Sequence, residues 1–199
     1  MNNSVEMGKP PKGETPSIFL IDPKFAHNVG MVVRLASCYG FKQVWFTGDR
    51  VRLELEKKKR LPREERMKGY KDVQMVSYDR PFDQFLNGPE VWAGRYGTPV
   101  AVEVRDNSER LDQFEHPSDA IYVFGPEDGS IHQSVLAQCH RFVIIPTRHC
   151  LNLATAVATV LYDRAKKMND FPRDKDRHAL ESMDDLEDPM GLFTDQNSV

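Results

Sequence analysis

Short apolar runs alternate with helical segments along most of this 199-residue chain, and this alternation is its strongest constraint on the fold. Several runs are apolar at nearly every position, as expected of strands that are buried on both faces of a sheet. Such strands, separated by helices, predict an α/β fold: a parallel sheet with helices on both faces. The predicted strands cover residues 17–21, 43–47, 73–77, 90–94, 120–124 and 141–145.

Helix signals fill the gaps between these strands. Asn28 is a favoured N-cap residue and Gly40 is a favoured stop, so the first helix is expected to run from Asn28 to about Tyr39. The other expected helical segments are 51–68, 81–87, 131–139 and 153–168.

Charge and composition predict one folded domain, residues 17–168, with a polar extension at each end. Residues 1–16 are rich in Pro and Gly and are expected to be disordered. Residues 169–199 read as an acidic, mobile tail, since nine acidic and three basic residues from position 170 onward give a net charge of −6. Because the whole chain has a net charge of −3, residues 1–169 carry a net charge of +3. A mildly basic body is compatible with a polyanionic partner.

Several functional classes are disfavoured. The chain has no run of 18 apolar residues, so no membrane span is expected. Its three cysteines are an odd number without a C-x-x-C pair, which favours a reducing cytoplasm over a disulfide scaffold. The neighbouring Cys and His residues lack zinc-ligand spacing, so no metal is expected.

Four segments could carry chemistry. In HNVGMVVRLASCYGF, Arg34 interrupts a row of core positions, which indicates either an anionic partner or an Arg that reaches solvent. In YVFGPEDGS, a glycine-rich loop follows a strand, and it is either a ligand loop or an ordinary capped turn.

The other two segments are equally open. In IPTRHCLNLATAVATVLYDR, Asn152 precedes a helix of small residues, so the loop either binds a ligand at the helix N-terminus or only caps a core helix. Residues 57–68 hold seven bases and two acids, and they either meet a phosphate backbone or form a solvated helix face.

The first three segments, in this order and at these separations, resemble the motifs of the SpoU/TrmH family of the SPOUT superfamily, which are RNA 2′-O-methyltransferases. The resemblance covers about residues 17–168, and the three motifs together are highly specific although each alone is weak. The layout is closest to the minimal members that methylate the wobble nucleotide of tRNA, which also share Gly-Thr-Pro at 97–99 and Asn-Leu at 152–153.

The resemblance implies a C-terminal deep trefoil knot, a homodimer, and RNA as partner, with tRNA favoured over rRNA. The cysteines, as stated above, predict a cytoplasmic protein. The resemblance also implies S-adenosylmethionine as the cofactor. The residues implied to bind this cofactor are Gly94, Gly125, Pro126, Glu127, Ile145, Pro146, Asn152 and Leu153.

By the same resemblance Arg34 is the catalytic residue, acting with Asn28, Glu127 and Asn152. A guanidinium group is a poor base, so positioning the ribose hydroxyl or stabilising its developing charge explains the need for Arg34 equally well. The residues expected to contact RNA are Lys57, Lys58, Lys59, Arg60, Arg63 and Arg148.

One departure from the family pattern keeps alternatives open. The family usually has Ser where this chain has Cys150, and a thiol is a weaker hydrogen-bonding group. The alternatives are a non-catalytic RNA-binding protein with the SPOUT fold, and a SPOUT enzyme that methylates a base nitrogen or rRNA.

Overall fold

The computed structural model describes residues 13–58, 73–87 and 97–171. Within these residues seven strands form one sheet in the order β3-β2-β1-β6-β4-β7-β5, and every pairing is parallel. The predicted parallel α/β sheet is therefore confirmed. The strands are β1 Ser17–Leu20, β2 Gln43–Phe46, β3 Gln74–Ser77, β4 Thr98–Val102, β5 Glu109–Arg110, β6 Ala120–Phe124 and β7 Arg141–Ile144.

Five α-helices connect these strands in the described residues. They are α1 Ala26–Cys38, α2 Asp49–Lys58, α3 Phe82–Asn87, α4 Gln133–Leu136 and α5 Leu153–Met168. None of them is long and apolar enough to cross a membrane.

Alternate residues of the central strands β1, β2, β4 and β6 face two separate apolar cores, which confirms helices on both faces of the sheet. Ile18 and Leu20 point to one core, where they meet α1 and α5. Phe19 points to the other, where it meets α3 and α4. The helix of small residues at the end of the domain is therefore a core element, with Val157 and Val160 both fully buried.

Two strands were not predicted. β4 contains Pro99, and proline has no N–H to donate to a neighbouring strand. Proline therefore argues against a central strand, which has a hydrogen-bonded neighbour on each side. The structure accommodates it because β4 pairs with β7 only from Val100 onward, so Pro99 precedes that ladder. β5 has two residues, Glu109 and Arg110, which is too short to produce a pattern.

The prediction that Asn28 caps the first helix is wrong. The helix begins two residues earlier, at Ala26, and its N-cap is Phe25, which makes no side-chain cap hydrogen bond. The stop at Gly40 is confirmed, since this residue adopts a left-handed φ of 75°. The segment expected at 131–139 is helical only over Gln133–Leu136.

Some predictions fall outside the described residues. These are the strand at 90–94, residues 59–68 of the charged segment, residues 1–12, and the tail beyond residue 171.

A buried polar chain fixes the C-terminal half of α5 to the sheet. His116 Nδ1 lies 2.6 Å from the Tyr122 hydroxyl, and His116 Nε2 lies 2.9 Å from Asp163 on α5. Lys167 forms an ion pair with Asp163 at 2.7 Å and donates to the backbone oxygen of Phe114 at 3.0 Å. The His116 side chain is completely buried. These hydrogen-bonded side chains therefore fix the position of α5 against β6.

This burial makes stability depend on pH. Burial lowers the pKa of His116, although its hydrogen bond to Asp163 acts in the opposite direction. An unfolded histidine has a pKa of about 6.5, so below that value the unfolded state takes up a proton more readily than the folded state does. The His116 contribution is present above about pH 6.5 and is lost as pH falls below it.

The glutamine in His116→Gln cannot titrate. We therefore expect the Tm of this variant to fall less than that of the wild type between pH 7.5 and pH 5.5. The measurement is thermal unfolding at several pH values. His140→Gln, at an exposed histidine, is the control and should follow the wild type. Equal losses in His116→Gln and the wild type would contradict this role of His116.

Candidate active site

The site lies where the strand order reverses. From β1 the chain proceeds outward through β2 and β3 on one side, whereas β6, β4, β7 and β5 lie on the other. In open parallel sheets, ligands bind at such a switch point, outside the carboxyl ends of the strands. The loops that follow β1 and β6 meet at this position.

A hydrogen-bonded network joins the three motifs at the switch point. The Asn28 side-chain N–H donates to Glu127 Oε1 at 2.6 Å, over 99 residues of sequence. The Asn152 side-chain N–H donates to Asn28 Oδ1 at 3.1 Å, over 124 residues. Asn28 is only 2% exposed, so its amide needs these partners. The structure thus brings Asn28, Glu127 and Asn152 together, with Asn28 in the middle.

Asn152 has two roles. Its side-chain oxygen accepts the backbone N–H groups of Ala154 and Thr155, at 2.9 and 3.4 Å, so it is the N-cap of α5 as the sequence indicated. Its side-chain nitrogen faces Asn28 at the same time. The start of α5 is therefore fixed to α1.

Glu127 is held from two directions. Its second carboxylate oxygen accepts the backbone N–H of Lys24 at 2.7 Å. Because Asn28 donates to the first oxygen, the carboxylate ties both ends of the segment 24–28 to the loop after β6. A carboxylate is the natural acceptor for two such donors.

An ion cluster fixes the same loop. Arg50 Nη1 lies 3.0 Å from both Asp128 carboxylate oxygens, and Arg50 Nη2 lies 3.0 Å from the Asp22 carboxylate. Lys24 Nζ adds a contact of 3.2 Å to Asp128. The hydrogen bonds from Arg50, then from Lys24, hold the pKa of Asp128 below its usual value. The loop after β1, the start of α2 and the loop after β6 are thereby joined beside Glu127.

Glu103 supports the loop from the other side. Its Oε2 accepts the backbone N–H of Ile131 at 3.0 Å. A Cβ added to Gly125 would lie 3.0 Å from Ile131 Cγ1, so a larger residue there would have to displace the Ile131 side chain by a few tenths of an ångström. Sequence analysis missed the roles of Glu103 and Arg50, because neither lies in a recognisable motif.

The other predicted cofactor residues differ in how far they are exposed. Leu153 is 6% exposed and belongs to the core, and Ile145 packs against the same core. Pro146 is exposed. Gly125 and Pro126 are half-buried beside Glu127.

Arg148 and Cys150 are exposed in the loop before Asn152, and Thr147 shapes this loop by donating to the His149 backbone oxygen at 2.8 Å. The predicted residues Gly94, Lys59, Arg60 and Arg63 lie outside the described residues, and Lys57 and Lys58 end α2.

Arg34 is half-buried and lies six residues after Asn28 on α1. Six residues correspond to about 9 Å along a helix and about 240° around it. The Asn28 and Arg34 side chains therefore leave the helix in different directions. As predicted, Arg34 follows a row of core positions in the sequence, since Val29, Val32 and Val33 are buried.

Comparison with known proteins gives a consistent result. Residues 16–162 match the model of the SpoU rRNA Methylase family. The tRNA (cytidine-2'-O-)-methyltransferase TrmJ of Methanocaldococcus jannaschii is 26% identical over 158 residues, which cover 74% of this chain. The match spans 66% of that relative's own length.

Two solved structures share the fold. The SpoU methyltransferase AviRb from Streptomyces viridochromogenes, in complex with the cofactor AdoMet, has a TM-score of 0.62 at 15% identity, covering 83% of this chain and 63% of AviRb. A protein studied for the 2-OH methylation of C/U34 on tRNA has a TM-score of 0.58 at 21% identity, covering 77% of this chain and 90% of its own. Since the family model covers well over half of the 199 residues, this chain belongs to the SpoU rRNA methylase family.

Proposed function

We propose that this chain is an S-adenosylmethionine-dependent RNA 2′-O-ribose methyltransferase that acts on tRNA. The observation that carries the proposal is the network of Asn28, Glu127 and Asn152, which joins three family motifs at the switch point of the sheet. The relative TrmJ is itself a tRNA 2′-O-methyltransferase, which supports the same reaction here.

The described residues fit the proposed cofactor. S-adenosylmethionine has an apolar-edged adenine, a positive sulfonium and a transferable methyl group. Ile145 offers partly exposed apolar surface, Leu153 contributes from the core at 6% exposure, and Glu127 offers a negative charge at the same edge of the sheet. We propose that these residues, with Gly94, Gly125, Pro126, Pro146 and Asn152, hold the cofactor.

When bound, S-adenosylmethionine supplies the methyl group, and the protein must prepare the ribose hydroxyl that receives it. This hydroxyl is a poor nucleophile, and in the proposal its proton passes to solvent water as the oxygen takes the methyl group. In the proposal Arg34 positions the oxygen and stabilises its developing negative charge, which fixed cationic donors do effectively. Asn28, Glu127 and Asn152 hold the surrounding loops in the geometry that the reaction requires.

RNA would approach from the exposed side of these loops. Arg148 is exposed four residues before Asn152, and α2 leads into the basic segment 57–68. We propose that Arg148, Lys57, Lys58, Lys59, Arg60 and Arg63 contact the RNA backbone. The similarity to the protein studied for methylation of C/U34 supports tRNA, and the wobble nucleotide, as the target.

The proposal includes a homodimer, a C-terminal trefoil knot, and the domain limits 17–168. Support for the homodimer comes from large apolar side chains left exposed on α1 and α5. Met31 is 38% exposed and Tyr162 is 54% exposed, and Tyr162 packs against Phe171, which is 45% exposed. A cytoplasmic location is part of the same proposal.

The test is mass spectrometry of nucleosides from purified tRNA and rRNA, with and without this gene. The proposal predicts that a 2′-O-methylated nucleoside disappears from tRNA and returns with the wild-type gene. Loss from rRNA alone, or loss of a base-methylated nucleoside, would favour the corresponding alternative enzyme. No change in either RNA would favour the non-catalytic RNA-binding alternative, which Cys150 motivates.

A further inference from the structure

An aromatic and cationic surface lies next to the Asn28 network. Phe25 and His27 form a stacked pair, with ring centroids 5.4 Å apart and planes inclined by 27°. Lys24 Nζ lies 5.4 Å from the centre of the Phe25 ring. All three side chains are exposed, and Phe25 is 42% exposed although it is large and apolar. We call Lys24, Phe25 and His27 the platform.

The platform is rigidly connected to the site. The Lys24 backbone N–H and the Asn28 side chain, which flank the two rings, both donate to the Glu127 carboxylate. Lys24 is anchored once more through its ion pair with Asp128. The backbone that carries the two rings is therefore tied on both sides to Glu127, close to Asn152.

We infer that the platform stacks a nucleobase of the RNA substrate beside the nucleotide whose ribose enters the site. This inference rests on the proposed function. Proteins recognise single-stranded RNA by splaying bases out onto aromatic side chains, and a neighbouring cation meets the phosphates. Lys24 supplies such a cation next to the Phe25 ring, because its side chain stays 42% exposed beside Asp128.

The platform explains how this domain orients its substrate. Stacking tolerates any base, because every base has an aromatic face. It would therefore position the ribose without selecting the sequence. Selection would then depend on the RNA shape and on the basic segment.

The test measures binding of bulk tRNA by the full chain for Phe25→Ala and His27→Ala. Stacking on one base contributes about 1–3 kcal/mol, so each variant should raise Kd for tRNA by about fivefold or more. Phe25→Tyr and His27→Phe keep an aromatic ring and should stay within about twofold of the wild type. Because Phe25 makes no side-chain cap hydrogen bond, its truncation leaves the start of α1 intact, which Tm can verify.

Salt dependence separates stacking from simple charge attraction. The slope of log Kd against log salt reflects the number of phosphates neutralised. Phe25→Ala should therefore change Kd by a similar factor at low and high salt, with an unchanged slope. Val104→Ala is the matched control, since Val104 is 67% exposed and lies outside the platform.

The outcomes are distinct. If the wild type transfers methyl groups to tRNA and Phe25→Ala and His27→Ala bind tRNA normally, the platform inference is wrong and the proposed function stands. If these variants bind RNA more weakly and sedimentation shows that they have also dissociated from a dimer to monomers, the surface is an interface between two copies. The inference is then also wrong. If the wild type neither binds nor methylates RNA, both proposals fail.

Discussion

Arg34→Ala is expected to lower kcat for methyl transfer to RNA by about 10²–10³-fold, the usual cost of removing one group that stabilises developing charge. The Kd for S-adenosylmethionine should stay within about twofold of the wild-type value. The reason is that Arg34 leaves α1 in a different direction from Asn28 and is assigned to the ribose oxygen rather than to the cofactor. The measurements are single-turnover transfer of a labelled methyl group and calorimetry with S-adenosylmethionine.

Two variants make this result specific. Arg34→Lys keeps the charge but loses the planar fork of donors, so its kcat should lie between those of Arg34→Ala and the wild type. Arg110→Ala is the matched control, because Arg110 is exposed on the edge strand β5. Full activity of Arg34→Ala would remove Arg34 from the mechanism. Loss of S-adenosylmethionine binding in Arg34→Ala would place Arg34 in the cofactor site instead.

Asn28→Asp is expected to be more damaging than Asn28→Ala, although it changes the shape of the side chain least. Asn28 is 2% exposed, and its side-chain nitrogen lies 2.6 Å from Glu127. Aspartate would place a second carboxylate against Glu127 in a buried position, where two like charges cannot both be ionised. Asn28→Ala leaves polar groups without a partner, which costs about 1–3 kcal/mol.

For Asn28→Asp we expect a larger loss of stability at pH 7.5, with a Tm about 10 °C below the wild type. Repulsion raises the pKa of one carboxyl of the pair above its unfolded value of about 4. The variant therefore recovers stability as pH falls, and the gap in Tm to the wild type should shrink between pH 8 and pH 5.5. The wild type itself is expected to lose stability over this range through His116, so the comparison uses the difference between the two proteins at each pH. A gap that is constant or widens at low pH would contradict the proximity of Asn28 to Glu127.

Local patterns predicted most of the fold because the strands are short, apolar and separated by recognisable turns. The strand that ends at Phe124 and the helix that starts after Asn152 lie where the sequence placed them. β4 was missed because Pro99 argues against a central strand, and only the pairing with β7 from Val100 onward removes the conflict. Asn28 was interpreted as a cap because its residue type favours that role, whereas its buried position two residues after the true start became visible only with the partners in place.

For the site, too, the sequence predicted some residues and missed others. Asn28, Glu127 and Asn152 were identified from motifs, and their contacts over 99 and 124 residues follow from the sheet topology rather than from spacing. Arg50 and Glu103 carry no such signal. Their importance comes from distant partners, Asp128 and Ile131, that no local pattern connects to them.

The most direct test of the central claim is the position of the transferred methyl group. Purified wild-type protein is incubated with tRNA and labelled S-adenosylmethionine, and the RNA is digested completely to nucleosides. The account predicts label on a 2′-O-methylated ribose with the wild type, and label reduced by about 10²–10³-fold with Arg34→Ala. Label on a base, or no label in any RNA supplied, would contradict it.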